Sequence, residues 1–253
     1  MELSVFQSEM FSRQMMVPEI GEEGQKKLLK SSIFVAGCGG LGAPVLYYLA
    51  AMGIGRLGIC DKDKVSLSNL NRQILFTDED IRKPKTEVAK KRLLALNPEL
   101  KVDSYDAVLD DTLANKLIKD YDIVIDCLDN FKTRFVLNDA CLTAGKLLIH
   151  AAVGEFSGQI LNIIPGKSPC LRCIFPSGAG EEKNSGIIGA VAGIIGSLQT
   201  LEAVKYLLGM EISYNEMFIF NGFGMSVEKV KILPADGCIC RDITERENYL
   251  EDI

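Results

Sequence analysis

The sequence is poor in several things that would have fixed its class at once. It holds a single histidine, His150, so proton-transfer chemistry built on several imidazoles is excluded. It has no surplus of basic residues: 28 Lys and Arg stand against 34 Asp and Glu, a net charge of −6, which disfavours a bulk nucleic-acid binder but leaves room for a local basic pocket. Met1-Glu2-Leu3-Ser4-Val5 shows no basic stretch leading into an apolar one, so no export signal is expected. The longest apolar run, around Ile187 to Leu198, is broken by Gly189, Gly193 and Gly196. It falls short of the about 20 residues that span a bilayer and reads as a buried helix. Internal repeats, low-complexity tracts and flexible linkers are absent. The expectation is a cytosolic protein without a membrane partner.

What is present is α/β grammar. Hydrophobic residues make up 47% of the chain and charged residues 25%, ordinary for a globular protein. Pro18 to Lys30 is expected as an amphipathic helix, and Ile33-Phe34-Val35-Ala36 as a buried parallel strand. A glycine-rich turn and a helix to about Met52 follow, then a second strand, Arg56 to Cys60. Helices over 84–96, 110–119 and 131–144 alternate with strands over 100–105, 121–126 and 146–150. That order predicts a Rossmann-like, doubly wound and mainly parallel sheet. After His150 the pattern becomes strand-rich. A hairpin is expected over 155–165 with Gly158 in or near its turn, a mobile loop over 177–185, a helix over 187–208, and strands over 217–221 and 225–233 before a charged tail. The whole chain, 1–253, reads as one domain, with a core over 31–150 and a C-terminal extension over 151–253.

Gly37-Cys38-Gly39-Gly40-Leu41-Gly42 fits G-x-G-x-x-G between a strand and a helix. Glycines there let the backbone approach phosphates, and the helix start offers free N–H groups. Asp61 ends the second strand, where an acid binds ribose hydroxyls. The loop points to a nucleotide without saying which; the plain alternative is a tight packing turn. The following run carries Asp63, Asn69, Arg72 and Gln73, and Lys85 comes just after Pro84. A guanidinium and an ammonium together suit a triphosphate under cleavage, although each residue alone could belong to a solvated loop. Asp129-Asn130 follows the fourth strand, at the carboxyl edge of the sheet. Asp129 there could hold magnesium against phosphate, or merely cap the next helix. Two cysteine pairs, Cys170/Cys173 and Cys238/Cys240, suggest a metal in a reducing compartment, while Cys38, Cys60, Cys127 and Cys141 read as small apolar side chains.

These pieces resemble the MoeB/ThiF family, bacterial relatives of ubiquitin-activating enzymes. The resemblance rests on Ser12-Arg13-Gln14, Gly37 to Gly42, Asp61 to Gln73, Lys85, Asp129-Asn130, Cys170/Cys173, and Gly196-Ser197-Leu198-Gln199 followed by Glu202-Ala203. Ser68-Asn69-Leu70-Asn71-Arg72-Gln73 is its most specific part. The resemblance implies ATP- and Mg²⁺-dependent adenylation of the C-terminal glycine of a small ubiquitin-like carrier protein ending in Gly-Gly. It implies a homodimer in which Arg13 reaches the partner's ATP, Asp61 on ribose, Asp129 on magnesium, and Asn69, Arg72, Gln73 and Lys85 along the phosphates. Gly37, Gly39, Gly40, Gly42, Asp63 and Asn130 complete the expected nucleotide site.

Two departures matter. Where relatives often carry a reactive cysteine before the late apolar helix, this chain has Glu182, and no cysteine lies between Cys173 and Cys238. Release of the acyl-adenylate to a separate sulfur donor is therefore expected. Cys238-Ile239-Cys240 has one spacer residue where the family usually has two, yet four thiolates can still form a structural zinc site. Competing readings are adenylation of another carboxylate, such as a modified tRNA base, a nicotinamide-dependent oxidoreductase, and a scaffold that has lost activity.

Overall fold

The computed structural model describes residues 2–176 and 186–240. Two short helices, α1 (Val5–Met10) and α2 (Ser12–Met15), precede α3 (Gly21–Lys30). The expected start at Pro18 is corrected: Gly21 has φ +54°, a left-handed backbone that a right-handed helix cannot pass through, so α3 begins there. Then come β1 (Ser32–Ala36), α4 (Gly42–Ala51), β2 (Arg56–Cys60), α5 (Lys85–Leu96), β3 (Lys101–Tyr105), α6 (Asp111–Leu117), β4 (Ile123–Asp126) and α7 (Phe131–Ala144). The second half holds β5 (Leu147–Gly154), β6 (Ser157–Ile163), α8 (Leu171–Ile174), α9 (Gly189–Leu208), β7 (Glu216–Asn221) and β8 (Ser226–Lys231).

The strands form one sheet in the order β3-β2-β1-β4-β5-β6-β7-β8. Pairings from β3 to β5 are parallel and those from β5 to β8 antiparallel. Alternation along the strands splits the core. Ile33, Val35, Ile123 and Ile125 face α3, α4, α5 and α9, while Phe34, Ala36 and Val124 face α6 and α7. Burial on both faces is why β1 and β4 read as unbroken apolar runs.

The antiparallel half differs in detail from expectation. β5 continues past His150 to Gly154, and the turn is Glu155-Phe156, because Val153 pairs with Gly158 and Gly154 with Ser157. Gly158 lies inside β6, where a Cβ would run into Ile195 of α9. Its glycine answers to helix packing rather than to the turn. Helix α9, expected over 187–208, runs Gly189–Leu208, with Gln199, Thr200, Ala203 and Val204 in its buried face. Among the described residues it is the one helix long and apolar enough to cross a membrane by length and composition; here it packs on β5, β6 and α4. The loop expected to be mobile and the charged tail lie outside the described residues.

Candidate active site

Strand β1 leads into α4 on one face of the sheet and β4 into α7 on the other. The carboxyl edge between these two strands is therefore a topological switch point, where open α/β sheets bind ligands. A cavity of about 480 Å³ opens there. One wall is Gly37, Gly39 and Gly40, with Arg72, Gln73 and Lys85 beside them. Cys60, Asp61 and Ala107 to Leu109 line the end near β2 and β3; Cys127 to Asn130 and Arg134 line the side after β4. Ala152, Val153, Ile187 and Ala192 complete the wall.

The glycine loop is held by its neighbours. Asp61 Oδ2 accepts the Cys38 N–H at 2.8 Å, and Oδ1 accepts the Asp63 N–H at 2.8 Å, so one carboxylate ties the turns after β1 and β2 together. Burial pushes the Asp61 carboxyl up, while Lys85 pulls it back down. Lys85, 5% exposed, places its Nζ 3.0 Å from Asp63 Oδ2. Asp63 thus reaches the wall as the partner that fixes an ammonium. Arg72 Nη1 donates to Ser68 O at 2.9 Å and to Asn71 Oδ1 at 3.0 Å, which orders the guanidinium at the edge. Gln73 is buried, and its Oε1 has no hydrogen-bond partner.

Three expected site residues stand apart from this wall. Asn69 caps a short 3₁₀ turn, Leu67–Asn69: its Oδ1 accepts the Ser66 N–H, and its carbonyl accepts from Arg72 N at 3.1 Å and Gln73 N at 2.9 Å. It shapes the turn that presents the two wall residues. Gly42 begins α4, where a Cβ would collide with the Gly37 carbonyl. Arg13 is exposed on α2 and does not line the cavity. Asp129 is exposed on the wall. The cap of α7, the alternative role for Asp129, comes instead from Asn130, whose Oδ1 accepts the Thr133 N–H at 2.9 Å. Asp129, whose Oδ1 accepts from Asn130 Nδ2 at 3.4 Å, is a hard oxygen ligand lining the same cavity as Arg72 and Lys85, a type that fits magnesium.

The four paired cysteines converge. Cys170 Sγ lies 3.6 Å from Cys238 Sγ and Cys173 Sγ 3.3 Å from Cys240 Sγ, and all four sulfurs fall within 4.8 Å of one another. A zinc tetrahedron with Zn–S bonds of about 2.3 Å has edges of about 3.8 Å, so the donors fit that ion and leave no open position. The single spacer residue does not pull Cys238 or Cys240 out of the cluster, because the short turn before them folds back on itself, with Cys238 N–H donating to Ala235 O. Hydrogen bonding from Cys240 holds the Cys170 thiol below the ordinary thiol range.

Residues 11–241 match the ThiF family. The chain belongs to the ThiF family. Within that family it is 39% identical to a sulfur carrier protein adenylyltransferase of Thermus thermophilus, over 94% of this chain and 92% of that one. It is also 39% identical to the sulfur carrier protein ThiS adenylyltransferase of Escherichia coli, over 90% and 92%. The solved structure of Escherichia coli MccB with ATP superposes with a TM-score of 0.80 at 25% identity, covering 91% of this chain and 74% of that one.

Sequence reasoning missed part of this ThiF-family site. Arg134 reaches the wall from the second turn of α7, donating to Leu128 O at 2.6 Å and Ala151 O at 3.4 Å. Only its place four residues after the Asn130 cap could have signalled it. Cys60 and Val108 carried no signal at all. His150 is buried below the cavity, with Nδ1 2.6 Å from Asp126 Oδ2.

Proposed function

We propose that the chain, as one adenylation domain, uses ATP and magnesium to adenylate the C-terminal glycine carboxylate of a small ubiquitin-like sulfur-carrier protein. The observation that carries this reading is the convergence of Arg72, Lys85 and Asp129 on a glycine loop at the switch point. The names of the relatives agree with it. An α-carboxylate has a pKa of about 3.5 and is already ionised at neutral pH. It attacks the α-phosphorus without a general base; the bond from that phosphorus to the bridging oxygen breaks, and pyrophosphate leaves. What the step requires is charge neutralisation and in-line placement.

Each residue has a stated part. Gly37, Gly39 and Gly40 let the loop backbone lie against phosphates, Asp61 meets ribose, and Ala107 to Leu109 offer an apolar flank for the base. Arg72 and Lys85 neutralise phosphate oxygens, and Gln73 supplies a neutral donor. Magnesium, held by Asp129, would add further neutralisation of the phosphates. Arg13 acts across a homodimer on the partner's nucleotide. With no cysteine between Cys173 and Cys238, the acyl-adenylate passes to a separate sulfur donor. Cys170, Cys173, Cys238 and Cys240 hold a structural zinc, and eight cysteines with no disulfide among them suit a reducing cytoplasm.

ATP–pyrophosphate exchange with magnesium tests the reading, run with and without small carriers ending in Gly-Gly from the same organism. Carrier-dependent exchange is expected, and Arg72→Ala is expected to lower it about 10²–10³-fold while the fold persists. ATP binding without exchange for any carrier would move the assignment to another carboxylate, and wild-type exchange in Arg72→Ala would overturn the role of that residue.

A further inference from the structure

The turn that bears Asp129 is gripped from beneath by groups with no part in the proposed chemistry. Asp126 is wholly buried at the end of β4. Its Oδ1 accepts the Leu128 N–H at 2.9 Å, while Arg134 Nη2 donates to the Leu128 carbonyl at 2.6 Å. Both polar groups of one residue's backbone are therefore taken by two side chains. Arg134 Nε lies 3.7 Å from Asp126 Oδ2, which joins the two grips, and the second Arg134 contact, to Ala151 O, anchors them to β5. His150 packs against the same Oδ2. Gln199 Nε2 donates to Asp126 O at 2.9 Å and Ile149 O at 3.0 Å, tying the end of β4 to β5. On the far side, Asn130 caps α7. Asp129 is the one residue between these two fixed points.

We propose that Asp126 and Arg134 are positioning residues, a clamp on Leu128 that presents the Asp129 carboxylate to the cation accompanying the bound nucleotide. This rests on the adenylation reading, in which Asp129 holds magnesium. Groups behind a metal ligand fix its orientation, and their loss commonly weakens metal affinity about 10–100-fold. Burial keeps the imidazole of His150 below its ordinary range against the pull of Asp126, so at neutral pH Arg134 is the cation beside that carboxylate.

The test uses the full chain and calorimetric ATP binding across a magnesium titration, with hydrogen exchange at the Leu128 amide as a readout independent of activity. In Arg134→Met, ATP affinity without magnesium sets the baseline against which the magnesium-dependent gain is read. The magnesium concentration that gives half of the affinity gain should rise about tenfold or more, and Leu128 exchange should accelerate. A merely structural role would lower the melting temperature and leave the magnesium dependence where it was, which would overturn the clamp. Arg134→Lys keeps the buried charge beside Asp126 but loses the fork; it should show the same shift in smaller measure and carries the test if the methionine variant does not fold. Asp129→Asn separates the two layers. If it shifts the magnesium dependence and neither Arg134 variant does, the clamp fails alone; if Asp129→Asn shifts nothing, the assignment of magnesium to Asp129 fails and the clamp with it.

Discussion

Gly37 shows how little freedom the nucleotide loop has. Its φ is +98°, and a Cβ there would stand 2.6 Å from the Cys127 carbonyl oxygen, so alanine is opposed both by backbone strain and by the neighbouring strand end. Gly37→Ala is expected to cost about 1–3 kcal/mol, read as a lower melting temperature, and to weaken ATP binding. His150 gives a second expectation at this scale. Asp126 from β4 and Arg134 and Cys141 from α7 surround the His150–Asp126 contact, and burial lowers the imidazole from its usual 6.5. An unfolded chain then binds more protons than the folded one below that value. The stabilisation is complete above about pH 6.5 and drains away as pH falls toward the lower folded value. Melting at pH 5 and pH 7.5 should show this loss, and His150→Gln should flatten it. Glycine, Asp61, Arg72 and Lys85 were legible because their types and spacing announce their chemistry. Arg134 was not, since its meaning lies in a carbonyl on another element; Asn69 was expected at the nucleotide, and its side chain also shapes the turn that carries Arg72.

At the scale of elements, most boundaries follow rules visible in the chain. Gly145 and Gly209 end α7 and α9 with φ of +64° and +80°, the left-handed caps that glycine favours. Asp110 caps α6, its side chain accepting the Leu113 N–H at 2.8 Å. Neither Asp110 nor α6 lines the cavity, so Asp110→Ala should cost about 1 kcal/mol of stability and leave ATP affinity intact, a control for variants that weaken both. The parallel strands were readable because double-sided burial leaves apolar runs. The hairpin turn was not: Gly158 imitates a turn residue while making room for Ile195 from a helix some 37 positions later. The two N-terminal helices also escaped notice, being too short to show a period; Phe11 between them is 2% exposed and secures them to the body.

Across the whole molecule, the parallel half carries the cavity and the antiparallel half closes on itself through the four thiols. Metal analysis should find about one zinc per chain. Strong chelation should lower the melting temperature and loosen residues near Cys238 first, while the cavity's ATP affinity changes less, because no thiol of the cluster lines it. Well under one zinc per chain would sink the metal assignment. The spacing of the cluster also sets a schedule. Cys170 and Cys238 are 68 residues apart, and at the ~5–20 residues added per second during synthesis roughly 3–14 s separate their appearance. Through that interval the newborn chain carries the Cys170/Cys173 dithiol without its Cys238/Cys240 partners, so an oxidative pulse delivered during synthesis should damage more molecules than the same pulse given to finished protein.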